Sequence, residues 1–174
     1  MFRLILYLAG VSNDNRAVMS EAITIEELQK LVGQRLGVSQ WYPIDQQRID
    51  QFADVTEDHQ FVHVDPEAAR ATPFGTTIAH GLLTLSLIVH LCLDFIPRLK
   101  DTNLLLNYGF DKVRFVAPVK VGSRVRATAT LAGVSQRKPA QFLVKLDVVI
   151  EIENEEKPAL AAEWLSLHVV GTGG

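Results

Sequence analysis

Hydrophobic and polar positions follow two different rhythms in the two halves of the chain. In the C-terminal half they alternate. Arg124-Val-Arg-Ala-Thr-Ala-Thr-Leu131 switches at every residue, and Gln141–Glu153 puts Phe142, Val144, Leu146, Val148 and Ile150 on one side. A period of two marks a strand with one buried face, because successive side chains point to opposite sides of the pleat. Leu104–Val116 and Ala159–Val170 read as two further strands, with breaks at Ala117-Pro118, Arg137-Lys138-Pro139 and Asn154–Pro158. The N-terminal half has helical spacing. Thr24-Ile-Glu-Glu27 forms a capping box before a helix carrying Ile25, Leu28 and Leu31 on one face, and Gly33 ends it. Arg35–Ile44 reads as a strand. Asp45 then caps a helix over Gln46–Ala53, with Ile49 and Phe52 facing inward. Asp65-Pro66 has the cap-then-proline order that opens another short helix.

The longest apolar run, Leu82–Pro97, is broken by Thr84, Ser86, His90 and Asp94. It is shorter than the roughly 20 apolar residues a membrane span needs, so a long buried helix is expected and no membrane contact. A helix apolar nearly all round must be covered on several sides. A curved antiparallel sheet wrapped around it does this, which predicts an α+β fold in a single domain over residues 21–174. The open edge of such a sheet favours pairing of two chains. Met1–Ser20 stands apart. Its apolar start carries only Arg3 and no small-residue cleavage site follows, so a leader or non-native extension is expected, poorly ordered, with Met19 as the native start.

Composition narrows the function classes. The 174 residues are 48% hydrophobic, and 17 basic against 20 acidic residues leave a net charge of −3, which gives no nucleic-acid footprint. The one cysteine, Cys92, lies in the apolar run, as expected of a small core side chain in a reducing, cytoplasmic setting. No spacing of Cys and His suggests a metal site. Basic residues gather late, at Lys112, Arg114, Lys120, Arg124, Arg126, Arg137 and Lys138; most are expected on solvated strand faces, and some could meet the phosphates of a coenzyme A or carrier arm.

Candidate chemistry is concentrated in Phe52–Leu91. An acidic, histidine-bearing turn, Asp54–His63, is followed by Ala79-His80-Gly81 at the mouth of the apolar helix. A carboxylate and an imidazole can move protons. A glycine at a helix start offers an unshielded amide to a developing oxyanion. Asp65 is assigned to its cap, Asp54 and His59 to solvent, and His90 with Asp94 to a local pair or an interface.

The segment resembles the signature of the MaoC-like dehydratases, the (R)-specific enoyl-CoA hydratases of the hot-dog fold. The matching residues are Phe52, Thr56, Asp58, Val62 and His63, then Ala79-His80-Gly81-Leu82. Glu57 stands where glycine is usual, and Gln60-Phe61 where Asn-Pro is usual. This version is similar to the nodulation-protein-N-like branch. The resemblance implies a hot-dog fold, a homodimer and reversible hydration of trans-2-enoyl thioesters, with Asp58 and His63 holding the water and the Gly81 amide binding the thioester oxygen. Gln60 would hold the water or a ligand amide, and Phe61, Val62 and Leu83 would line the acyl channel. His80 would fix the helix entry or act as a second catalytic histidine. An enoyl-CoA or carrier-bound thioester is the implied partner, with no metal or other cofactor. The alternatives are a hot-dog thioesterase and a non-catalytic acyl-thioester-binding subunit, the latter suggested by the second carboxylate of Glu57 beside Asp58. Pairing with an unlike hot-dog chain is also open.

Overall fold

The computed structural model describes residues 22–171; the expected leader over residues 1–20 lies outside them. In chain order the elements are α1 (Ile25–Gln29), β1 (Arg35–Val38), β2 (Tyr42–Pro43), α2 (Gln46–Thr56), α3 (Phe61–Val64), α4 (Pro66–Arg70), α5 (Gly81–Ser86), α6 (Ile88–Cys92), β3 (Thr102–Phe115), β4 (Arg124–Lys138), β5 (Gln141–Ile152) and β6 (Leu160–Val170). The strands make one six-stranded antiparallel sheet in the order β1-β4-β5-β6-β3, with β2 also on β4. The strand expected over Arg35–Ile44 is therefore two short pieces, both closing the same edge of β4.

Alternation does what it predicts. Val125, Ala127, Ala129 and Leu131 of β4 and Val144, Leu146, Val148, Ile150 and Ile152 of β5 all turn to one face, where Leu83, Ile88, Leu91 and Cys92 of α5 and α6 pack on them. Each such large apolar side chain contributes about 1.5–3 kcal/mol by leaving water, which makes this layer the core of the molecule. The local caps also form as the sequence predicts. Thr24 and Glu27 close a reciprocal capping box, Asp45 accepts from the Arg48 amide at 2.9 Å, and Asp65 accepts from the Glu67 and Ala68 amides.

The central helix differs from the expectation of one long rod buried all round. It is interrupted at Leu87, which separates α5 from α6. Two back-bonded hydroxyls precede the break. Ser86 Oγ donates to Leu82 O at 2.7 Å and Thr84 Oγ1 points back to His80 O at 3.5 Å, and such back-bonding bends a helix. The axis still runs on, because the Leu87 amide reaches Leu83 O and the Leu91 amide reaches Leu87 O. One side of the rod, with Leu82, Val89 and Leu93, is open to solvent. The β3 edge is similarly bare, with Leu104, Leu105, Leu106, Tyr108 and Phe110 exposed. Among the described residues no helix is long and apolar enough to cross a membrane.

Candidate active site

Four short pieces of chain build the site. The eleven-residue helix α2 ends at Glu57, which has φ 60°, ψ 20°. This left-handed conformation turns the chain sharply, and it is the one glycine adopts most readily. The glycine usual at this point of the signature thus has a backbone reason, and Glu57 is the exposed cap of a turn. The turn presents Asp58, and α3 follows with His63 on its inner side. The Ile78 amide donates to Val62 O at 3.1 Å and the Ala79 amide to Val119 O at 2.7 Å. These bonds tie the loop before α5 to both α3 and the sheet-side chain. Gly81 then begins α5, with His80 as its cap.

The structure brings Asp58, His63 and His80 together: one ligand atom of each lies within 4.8 Å of the others. The two imidazoles are buried and stack with centroids 3.7 Å apart, while Asp58 is exposed. His63 Nδ1 lies 2.7 Å from Ile78 O. A carbonyl only accepts, so Nδ1 carries the proton and Nε2 is left with a free lone pair. His80 Nε2 donates in the same way to the Asp58 backbone carbonyl at 2.9 Å and lies 4.0 Å from the Asp58 carboxylate. Phe52 packs against the His80 ring at 5.1 Å. His80 therefore braces the turn that carries Asp58 and supports the face of His63. Burial pushes the His63 pKa below its usual value; the bond to Ile78 O opposes this, His80 adds to it, and Asp58 opposes it. The result is a neutral imidazole at pH 7, ready to accept a proton. Close grouping makes these three the candidate cation ligands among the described residues, but each ring already spends one nitrogen on a carbonyl, an arrangement that serves proton transfer as it stands.

His63 and Gly81 share the wall of a groove of about 330 Å³, together with Ala79, Thr84, Phe115 and Val119. Gly81 is exposed to it. A Cβ at Gly81 would stand 3.0 Å from the Phe115 ring, so the missing side chain is what keeps the slot open. The other expected residues fall differently. Gln60 is exposed as the cap of α3 and makes no capping bond. Phe61 is about half exposed, while Val62 and Leu83 are buried, and none of the three is among the residues lining the groove.

Sequence reasoning passed over Gln46. Its Nε2 donates to the His63 carbonyl at 2.7 Å and to Asp50 Oδ1 at 2.8 Å, and its Oε1 accepts from Thr77 Oγ1 at 2.5 Å. It clamps the backbone of His63 to the loop that leads to Gly81. A glutamine in the first turn of a helix carries no signal of such a role. The surface charges are also resolved. Asp54 holds His59 at 3.0 Å in solvent, and His90 packs edge-on against Tyr42 at 4.7 Å. Lys112, Arg124 and Arg126 are taken up by Glu163, Glu153 and Glu151 across the strands. Arg137 lies over the Tyr108 ring, 4.7 Å from its centroid.

The family model described as MaoC like domain matches residues 27–152. The chain belongs to the MaoC-like dehydratase family. This MaoC-like protein is 46% identical over 146 residues to nodulation protein N of Rhizobium meliloti, covering 83% of this chain and 91% of that one. It is 44% identical over 146 residues to 3-hydroxyacyl-thioester dehydratase Z of Mycobacterium tuberculosis, covering 84% and 96%. Among solved structures, the (R)-hydratase from A. caviae involved in PHA biosynthesis superposes with a TM-score of 0.64 at 26% identity, over 78% of this chain and 94% of that one. A MaoC-like dehydratase from Rhodospirillum rubrum, at 20% identity and a TM-score of 0.69 over 87% and 100%, shares the fold. The hot-dog architecture expected from the resemblance is thereby established for the MaoC-like chain.

Proposed function

We propose that this MaoC-like protein is an (R)-specific enoyl-thioester hydratase. It adds water reversibly to the trans-2 double bond of an enoyl-CoA or carrier-bound enoyl thioester and yields the (3R)-3-hydroxyacyl thioester. The observation that carries the reading is the tautomer of His63. With Nδ1 fixed on Ile78 O, Nε2 is left free to act as a base, and His63 borders the same groove as the bare start of α5. A water held between His63 and Asp58 loses one proton as its oxygen bonds to C3. The electron pair of the double bond moves toward the thioester carbonyl, whose oxygen gains charge beside the Gly81 amide; C2 then receives the proton that His63 Nε2 took from the water, so one water is added and both residues return to their starting states. Water addition moves protons and no net electrons, so the scheme calls for no redox cofactor. General acid–base work contributes about 10²–10⁴-fold, and an oxyanion donor about 3–4 kcal/mol. Asp58→Asn and His63→Gln should fold normally and lose about 10²–10⁴-fold in kcat on crotonyl-CoA, followed through the ultraviolet absorbance of the conjugated thioester. Full activity in either variant would refute the role of the residue replaced.

The same reading includes a second copy of the chain. Phe115 and Val116 wall the groove and are about half exposed, and the bare apolar residues of β3 and of the α5–α6 rod offer surface for a partner to cover. Contiguous apolar surface along an unpaired strand edge is seldom left to water. A homodimer in light scattering at micromolar concentration is the expected result; a monomer there would remove this part of the proposal.

A further inference from the structure

A second cavity, of about 420 Å³, lies under α6. It is separate from the groove at Gly81. The two share no lining residue, and the stretch of helix between Thr84 of one and Val89 of the other carries the buried Leu87 and Ile88. The cavity lining crosses the sheet, from Leu36 of β1 through Leu131 of β4, Leu146 of β5 and Trp164 of β6 to Leu105 of β3. Four strand spacings make about 19 Å. Spread over that distance, the volume leaves a cross-section of about 22 Å², room for one unbranched hydrocarbon chain and not for two. The trough opens to solvent on its own account, because Val89, Leu93 and Leu105 in its lining are each more than a third exposed.

The polar groups of the wall are turned to one another. Trp164 Nε1 donates to Asn107 Oδ1 at 3.1 Å, and Ser166 Oγ lies 3.1 Å from His168 Nε2. His168 Nδ1 and the Thr102 hydroxyl are buried and present no surface to the space. Hydrocarbon surface and one charge are left for a ligand. The charge is Arg98, which borders the cavity and is itself exposed. Among the described residues no carboxylate borders the cavity and none pairs with Arg98. We propose that this trough binds a free fatty-acid anion, with its tail under α6 and its carboxylate on Arg98. The tail leaves water and fills a space of the kind that otherwise stays dry and takes up apolar guests. The head stays at an exposed guanidinium in a charge-assisted bond, so no charge is buried. A second copy of the chain laid on Leu93 and Leu105 would roof the trough without filling it, because its floor is the buried layer of Leu131, Leu146 and Trp164. The site shares nothing with the hydratase reading and stands apart from it.

The test uses the full chain carrying Trp41→Phe, which leaves Trp164 as its one tryptophan, and decanoic acid brominated at its far end, whose bromine quenches an indole only on contact. Quenching of Trp164 should saturate with a Kd on the order of 10 µM. Decanol, measured by displacing the brominated acid, should bind about tenfold more weakly than decanoic acid, the effect of losing one charge-assisted bond. Arg98→Gln, at an exposed position, should weaken the acid by about tenfold and leave the alcohol unchanged. Absence of quenching, an alcohol bound as tightly as the acid, or an Arg98→Gln protein that binds the acid as before would overturn the inference. So would quenching that crotonyl-CoA displaces, since the acid would then sit in the Gly81 groove.

Discussion

Removing the Gln46 amide should damage the fold and the reaction together. Gln46→Leu keeps the volume close and deletes three hydrogen bonds: to the His63 carbonyl, to Asp50 and from Thr77. The Asp50 carboxylate is only partly buried and can turn to water. Thr77 cannot, since it is 1% exposed. Its stranded hydroxyl costs about 1–3 kcal/mol, and the lost net bonding adds about 0.5–1.5 kcal/mol per bond. The sum is a destabilisation of at least about 2.5 kcal/mol, read from urea denaturation. The double variant Gln46→Leu with Thr77→Val removes donor and acceptor together and should recover at least about 1 kcal/mol of that loss. On crotonyl-CoA the single variant should lose kcat more than it raises KM, because His63 is no longer held against the loop before Gly81. A loss under about 0.5 kcal/mol with kcat unchanged would refute the clamp.

Two further outcomes follow from the site. The rate on crotonyl-CoA should fall on the acid side below about pH 6.5, because His63 titrates below its ordinary value and must be neutral to act; a flat acid limb would contradict it. Stability should move the same way. His63 and His168 both have lowered folded pKa values, so the unfolded chain binds their protons first, and the stability present above about pH 6.5 is lost as pH falls toward the folded values. His59, raised by the Asp54 carboxylate, works in the opposite sense but sits on the surface, where solvent screens it. Denaturant midpoints measured between neutral and mildly acidic pH check this, and a midpoint that rises on acidification would contradict it. Glu57→Gly should stabilise the protein by about 1 kcal/mol, since φ 60° strains any residue with a Cβ; a destabilised variant in thermal melts would show that the Glu57 side chain holds the turn.

The caps, the strands and the paired acid and imidazole were legible because each is written in residues near one another in sequence. Asp45, Asp65 and Thr24 announce their helices locally, and the alternation of β4 and β5 announces a buried face. The back-bonding of Thr84 and Ser86 is legible from their place inside a helix, but the break at Leu87 is not, since such bonds bend a helix without fixing where it parts. The Leu104–Leu106 run reads as strand but gives no sign that it lies on an open edge, because periodicity reports facing and not neighbours. The resemblance places Val62 and Leu83 at the acyl channel, yet the geometry of α3 and α5 turns both into the interior. Gln46 and Arg98 depend on partners distant in sequence or on the walls of a cavity, and nothing in their own surroundings marks them.

The carbonyl that orients the His63 ring belongs to Ile78, only a few bonds along the chain from the Gly81 amide. The proposed base and the proposed oxyanion donor thus meet on a single short bracket, one bonded to it and one part of it, pinned to the sheet side through Ala79 and Val119. A displacement of that bracket moves the Gly81 amide together with the carbonyl that the His63 ring is bonded to. The proposed catalytic geometry, gathered from two stretches of the sequence, is held together through the four residues 78–81.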